Sequence, residues 1–467
     1  MQQQEGSFRD PSGFIFYRET FLYRQINQSY QEHYLHLLNS GLYQVLFQEG
    51  FLVSHQEVLI EPFEPLQSFK IIQPERIPFI SYPYEWCFSQ LKAAALLTLK
   101  IQQKALAYGM TLKDASAYNI QWLKGKPIWI DTLSFEKYQD GTPWNAYRQF
   151  CQHFLAPLVL IRYRDVRLQC LLRRYLDGVP LDLASRLLPW YSWMSFSMLS
   201  HLHLHALFQQ KFSEPSKKRS LSRFALYGLI DHLEKTIAHL CWKPPSSEWS
   251  NYETEMNYTV EAFQQKEKIV SSWIQEIRPS QVWDFGANHG YFSRLASQHG
   301  AFTLAVDADP ILVERHYLET QSRSELFILP LNNDLMNPSP DLGWNLRERE
   351  SLIRRGPADL VLVLALVHHL AIAQNVPLQK IAFFLSQISR SLIIEFVPKD
   401  DSQVSRLLST REDIFPTYTQ KHFEEAFQDY FTILQRILVP ESLRTLYWMK
   451  RVSVERIHSQ DLEEKEN

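Results

Sequence analysis

Val282-Trp283-Asp284-Phe285-Gly286-Ala287-Asn288-His289-Gly290-Tyr291-Phe292-Ser293 decides how the second half of this chain is read. An apolar run ends in an acid, turns through small residues and opens a segment with helical spacing. A second apolar run, Phe302 to Val306, again ends in an acid, Asp307. Two such strand ends in succession are the pattern of a parallel α/β sheet that takes its ligand across the carboxyl ends of the strands. Glycine at 286 and 290 lets backbone lie close to a ligand where a Cβ would collide.

The same turn discriminates between ligands. A dinucleotide site uses G-x-G-x-x-G and sets the pyrophosphate on a helix N-terminus. Here Asn288 stands at the middle glycine position, and the next glycine follows two residues later. Asp284 would repel a diphosphate and attract an ammonium group. Asp307 can accept from both hydroxyls of a ribose. The residues favour a methyl donor that carries an ammonium, S-adenosylmethionine, over a dinucleotide.

From about Tyr258 to Met449 the chain resembles the class I S-adenosylmethionine-dependent methyltransferases. Asp284, Gly286 and Gly290 match that family's first motif, with Asn288 in place of a commoner glycine, and asparagine tolerates positive φ better than most residues. Asp307 matches the ribose-binding acid, and Asp334 the residue near the adenine amino group. Residues 358–366 read as the fourth strand and 391–397 as the fifth. The resemblance implies an α/β, Rossmann-like domain with a mostly parallel, doubly wound sheet over residues 248–455. The plainer alternative is that an acid and a glycine end many strands, and that Asn and Asp crowd any loop, Asp334 included.

Methyl transfer asks the protein to position acceptor and donor, and to add a base when the nucleophile is protonated. His368 and His369 follow the fourth strand, where an acceptor would lie, and either is a candidate base titrating near working pH. Each could equally cap the strand or pack beneath the cofactor. Glu395, near the end of the fifth strand, is a third catalytic candidate or a structural acid. The N-P-P-[FY] motif of many amino-group methyltransferases is absent. His201, His203 and His205 sit in an amphipathic stretch with no acid or cysteine to complete a metal site, so no metal is expected.

Length and composition frame the rest. The 467 residues suggest two domains, with 45% hydrophobic and 21% charged residues. A formal charge of −3 offers no global basic field, so nucleic acid is not favoured as a partner. The four cysteines show no paired metal spacing and fit a reducing cytoplasm, and no secretory signal is legible. The most lipid-like stretch, 187–199, is too short for a membrane span and reads as a buried helix or a lid, with an interfacial membrane helix as the alternative. Pro244-Pro245-Ser246-Ser247 marks the seam between a first domain at 1–243 and the second. Lys217-Lys218-Arg219 reads as a basic linker, and 456–467 as a polar tail.

The first domain carries one constellation of its own. After a helical stretch ending at Gly109 come Asp114 and Asn119, a turn at Lys124-Gly125-Lys126-Pro127, and Asp131. Base, amide and acid at this spacing resemble the catalytic loop of the protein kinase-like fold, in its RIO and aminoglycoside-phosphotransferase branches. That resemblance implies an α+β domain with a magnesium-ATP site at Asp114, Asn119 and Asp131. The chain departs from it in lacking the glycine-rich loop and in offering Arg24, not lysine, as the strand cation. The alternative is structural: Asp114 caps a turn, Asn119 bonds backbone, and Asp131 ends a hairpin.

Taken whole, residues 112–136, 144–158 and 394–416 resemble a group of bacterial methyltransferases that includes nodulation-associated members. The expected protein is a two-domain cytoplasmic methyltransferase with a small-molecule or saccharide acceptor. A phosphotransferase using the first domain, and a scaffold that binds S-adenosylmethionine without turnover, are the competing functions. Acceptor and oligomeric state are not legible.

Overall fold

The computed structural model describes residues 1–205, 220–245, 258–409 and 412–452. The basic run at 217–219 and the polar tail lie outside the described residues. The chain divides into two compact units, Met1–Pro244 with Leu342–Arg349, and Pro245–Asp341 with Glu350–Asn467.

The first unit opens with a five-stranded antiparallel sheet in the order β1-β2-β3-β5-β4, from β1 (Gln2–Gln3), β2 (Gly13–Arg18), β3 (Phe21–Asn27), β4 (His55–Glu57) and β5 (Ser68–Pro74). Helices α1 (Gln31–Asn39) and α2 (Leu42–Gln48) connect β3 to β4. Ile26, Tyr30, Tyr34, Ile72 and Leu133 pack together beneath the sheet. Helix α3 (Phe88–Ala107) follows, its apolar stripe buried through Leu91, Ala94, Leu99, Ile101 and Leu106, and Gly109 turns the chain at φ 73°. Two small ladders come next, β6 (Met110–Leu112) with β9 (Phe135–Lys137), and β7 (Ile120–Leu123) with β8 (Lys126–Trp129). Lys124 and Gly125 both take positive φ between β7 and β8, the geometry a two-residue hairpin turn requires. Short helical segments fill 147–203, and α4 (Arg223–His239) packs along α3. The segment Leu342–Arg349 belongs to this unit: Glu348 pairs with Arg9 at 2.6 Å, and the Arg349 guanidinium lies 3.9 Å above the Tyr118 ring.

The second unit is built on the expected Rossmann-like, mostly parallel sheet. It begins with α5 (Val260–Ile277), capped by Thr259 accepting from the Ala262 amide. Seven strands follow: β10 (Gln281–Phe285), β11 (Phe302–Asp307), β12 (Ile328–Asn332), β13 (Ala358–Val363), β14 (Ser389–Phe396), β15 (Phe431–Leu438) and β16 (Thr445–Arg451). Their order is β12-β11-β10-β13-β14-β16-β15, with every pairing parallel except those made by β16. Strand order reverses at β10, with β11 on one side and β13 on the other, so a crevice opens there at the strands' carboxyl ends. Helices α6 (Tyr291–Gln298), α7 (Pro310–Ser322), α8 (Leu378–Ile388), α9 (Ser402–Leu408) and α10 (Gln420–Gln428) complete the unit. Asp309-Pro310 starts α7 with a side-chain cap on the Ile311 amide and proline at the first helical position, where its missing N–H costs nothing. Trp273 and Ile274 of α5 pack on Val282, Leu360, Leu362 and Ile393 of the sheet.

The stretch at 187–199 departs from its expected burial. Met198 is buried, but Trp190 and Trp193 are 76% and 41% exposed, on a short turn of 3-10 helix and not a continuous helix. No helix among the described residues is long and apolar enough to cross a membrane.

Candidate functional site

A cavity of about 350 Å³ opens at the carboxyl ends of β10, β11 and β13 in the second unit. Gly286 and Asn288 line it from the first turn, both in the left-handed region at φ 71° and 48°. Asp307 lines it from the end of β11. The Asn288 amide donates to Asp307 Oδ2 at 3.0 Å and the Asp309 amide to Oδ1 at 2.9 Å, so this carboxylate ties the two turns together. Burial raises the Asp307 carboxyl to about 6, against the pull of those amides. The Asn288 side-chain oxygen is buried without a hydrogen-bond partner, an acceptor left for a ligand.

Asp334 also lines the cavity, its carboxylate accepting from the Met336 amide at 2.9 Å, with Leu312, Leu335 and Met336 as apolar walls. The opposite side is Leu364, Ala365, Leu366, His369, Gln374 and Leu407. Ala365 sits at φ 51°, an outlier for a residue with a Cβ, at the edge of the site. Sequence reasoning placed His369 here and missed the other residues of this wall. Its one legible signal was that Leu364-Ala365-Leu366 follows a strand directly.

Asp284, Gly290 and Glu395 do not line the cavity. Asp284 is 3% exposed and accepts from the Ser293 hydroxyl at 2.6 Å. Burial raises it to about 7, Ser293 opposing and the charge of Asp307 adding. Gly290 caps α6 at φ 77°, and a Cβ there would stand 2.0 Å from His316 Nε2, so packing within the unit by itself requires glycine. Glu395 is fully buried, paired with Lys266 at 2.7 Å and accepting from the Tyr258 hydroxyl. Burial favours its neutral form, but Lys266 and Arg444 outweigh that and hold its carboxyl below the ordinary range.

Of the two histidines, only His369 lines the cavity. Burial, with Arg444 adding, lowers it to about 4, well under the near-neutral value expected of a base. The ring is therefore a neutral acceptor or donor at physiological pH. His368 is fully buried with neither ring nitrogen hydrogen-bonded, and burial drives its value well down, the neighbouring His369 adding.

In the first unit, Asp114, Asn119 and Asp131 do come together. Asp114 accepts from the Ser116 amide, the Gln149 side chain and Asn119, and burial raises its carboxyl, with Asp131's charge adding. The Asn119 amide donates to Ser134 Oγ at 3.2 Å. Asp131 is paired with Arg24 at 2.5 Å and accepts from the Ser134 hydroxyl and the Leu133 amide. Burial favours the neutral Asp131, yet Arg24 and these donors hold it ionised below its ordinary value. An arginine thus occupies the carboxylate that a kinase-like site leaves for its metal ion. His201 bonds Tyr147 and His232, each at 2.6 Å, and His203 lies between Ser185 and Ser192. Among the described residues no group of three or more His, Cys, Asp or Glu side chains is placed to hold a metal ion.

No family model matches the chain. It is 35% identical over 457 residues to the nodulation protein NoeA of Rhizobium meliloti (strain 1021), covering 96% of this chain and 95% of that one. Among solved structures it is similar to magnesium protoporphyrin IX methyltransferase (ChlM) of Synechocystis PCC 6803 with bound SAM, at 15% identity and TM-score 0.29, over 45% of this chain and 87% of that one. It is also similar to the N-methyltransferase NodS of Bradyrhizobium japonicum WM9, at 10% identity and TM-score 0.29, over 41% of this chain and 97% of that one.

Proposed function

The chain belongs to the family of the nodulation protein NoeA, and on that premise we propose that its second unit binds S-adenosylmethionine and transfers the methyl group to a small-molecule or saccharide acceptor. The observation that carries this reading is the Asp307 carboxylate, held by two turn amides at the lip of a cavity whose floor is the positive-φ turn Gly286–Asn288. The residues fit the cofactor. Asp307 would accept from the ribose hydroxyls, the unpartnered Asn288 oxygen offers a further acceptor, and Asp334 with Leu312 and Met336 would hold the adenine.

S-adenosylmethionine, when bound, supplies a methyl carbon activated by its sulfonium. The chain's own contribution is placement and exclusion of water. His369 and Gln374 are polar groups in an otherwise apolar wall at Leu364, Leu366, Leu370 and Leu407, which suits orientation of an acceptor hydroxyl or amine. The formal charge of −3 supports an acceptor other than a polyanion.

Calorimetric titration with S-adenosylhomocysteine tests the cofactor reading. One-site binding weakened tenfold or more by Asp307→Ala, about 1.4 kcal/mol, is expected; absence of binding to the unsubstituted protein overturns it. Transfer of labelled methyl groups from S-adenosylmethionine into fractions of a bacterial extract tests the acceptor. Label in the small-molecule or glycan fraction supports the reading, label in RNA or protein refutes the acceptor class, and binding without any transfer leaves the scaffold.

A further inference from the structure

We infer that residues 190–196 of the first unit form a docking surface for an anionic lipid membrane. In this run Trp190, Tyr191, Trp193, Met194 and Phe196 are 76%, 45%, 41%, 72% and 73% exposed. At about 200 Å² for a side chain of this size, the five present on the order of 600 Å², at the upper end of what a monomer normally exposes in one patch. They are held by packing from below and are not loose. The Trp193 ring stacks on His203 at 4.1 Å, Phe196 lies against His232 at 5.5 Å, and Tyr191 meets Tyr163 at 6.3 Å.

Charge chooses the occupant. From 161 to 200 the chain has six arginines and three aspartates, and neither lysine nor glutamate, a local positive excess on a chain whose formal charge is −3. Arg162, Arg164, Arg174 and Arg186 are exposed. Two of them adjoin the aromatic run: Arg162 lies over Tyr163, the ring that meets Tyr191, and Arg164 donates to the Leu187 carbonyl. Tryptophan and tyrosine with an apolar body and polar tip, bordered by arginines, suit the boundary between headgroups and acyl chains. A second copy of the chain fits less well, because a two-fold pairing would set arginines against arginines. The segment 206–219, outside the described residues, is also basic in sequence, with Lys211, Lys217, Lys218 and Arg219 against Glu214, so its charge does not complement the patch.

The test is flotation of the full chain with vesicles of phosphatidylcholine, with and without phosphatidylglycerol. We expect the floated fraction to rise about tenfold with the anionic lipid and to fall as salt is added. The triple variant Trp190→Ser/Met194→Ser/Phe196→Ser should lose flotation while keeping its circular dichroism and its affinity for S-adenosylhomocysteine, since the three side chains are exposed. Arg162→Ser/Arg164→Ser should weaken flotation on anionic vesicles. The inference is overturned if the unsubstituted chain stays unbound to anionic vesicles, if it floats equally with neutral ones, or if the triple variant floats unchanged. It is also overturned if sedimentation velocity shows a dimer that the triple variant abolishes, without any vesicle binding.

Discussion

Replacing Gly290 by alanine separates two reasons for a glycine in a ligand-binding turn. A Cβ at 290 would stand 2.0 Å from His316 Nε2 and 2.1 Å from Cε1. His316 is 2% exposed on α7, and burial, with Arg294 adding, keeps its ring neutral at a value near 3. The ring has no open solvent to swing into. Two costs then combine: an L residue at φ 77° costs about 1–2 kcal/mol, and displacing a buried ring costs about 1–3 kcal/mol. The expected loss is about 2–5 kcal/mol, read as a lowered transition for the second unit in scanning calorimetry.

His316→Ala supplies the control. With the ring removed, alanine at 290 keeps only the backbone cost, so the double variant should lose at least about 1 kcal/mol less than the two single losses combined. Gly286→Ala should behave differently. Its added Cβ meets nothing nearer than Leu366 at 3.4 Å, so only the backbone cost of φ 71° remains and His316→Ala should not relieve it. Strict additivity of Gly290→Ala and His316→Ala would refute the argument, as would a Gly290→Ala protein that melts like its parent.

Two further outcomes follow from buried charge. With its carboxyl raised to about 6, Asp307 favours the folded cofactor-free chain below the unfolded value of 3.8, and that contribution is lost as pH rises through about 6. Ribose hydroxyls need the ionised form, so affinity for S-adenosylhomocysteine should fall about tenfold per pH unit below about 6, and Asp307→Asn should flatten the slope in pH-dependent calorimetry. In the first unit, Arg24→Ala leaves Asp131 without its cation and should cost about 3–5 kcal/mol in thermal unfolding, while magnesium-ATP should not raise the melting temperature of the unsubstituted protein. A rise with magnesium-ATP would favour the phosphotransferase reading.

The parts of the second unit that could be read from sequence are those set by local chemistry. The turn after β10, the acid closing β11 and the Asp309-Pro310 start of α7 each announce themselves within a few residues. What could not be read depends on partners far along the chain. Asp284 and Asp307 both sit near strand ends, yet one carboxylate turns beneath α6 to Ser293 and the other faces the cavity. The reason for Gly290 lies on α7, and Leu407 reaches the cavity from α9. Trp190 to Phe196 read as core because apolar composition is the same whether a run is covered or not. The constellation Asp114, Asn119 and Asp131 was legible as a cluster, but the hand of Arg24 on Asp131 joins β3 to a hairpin roughly a hundred residues away and carries no local signal.

Glu395 shows why a polar residue at a strand end need not do chemistry to matter to it. Two cations, Lys266 and Arg444, and two carboxylates, Glu395 and Asp401, balance in a nearly dry interior, the condition under which buried charge is tolerated. Lys266 comes from α5 and Glu395 from β14. Arg444 precedes β16 and grips both oxygens of Asp401, at 2.7 and 3.1 Å. Asp401 in turn caps α9 by accepting from the Gln403 amide, and α9 carries Leu407 into the cavity wall. Tyr258 joins the two pairs, its hydroxyl donating to Glu395 and its ring lying under both Lys266 and Arg444, so the contacts run from the first helix of the unit, through the fifth strand of its sheet, to the cavity wall. Glu395 stands at the centre of that chain and away from the cavity, which argues for a positioning role, with His369 the one candidate base whose ring reaches the site.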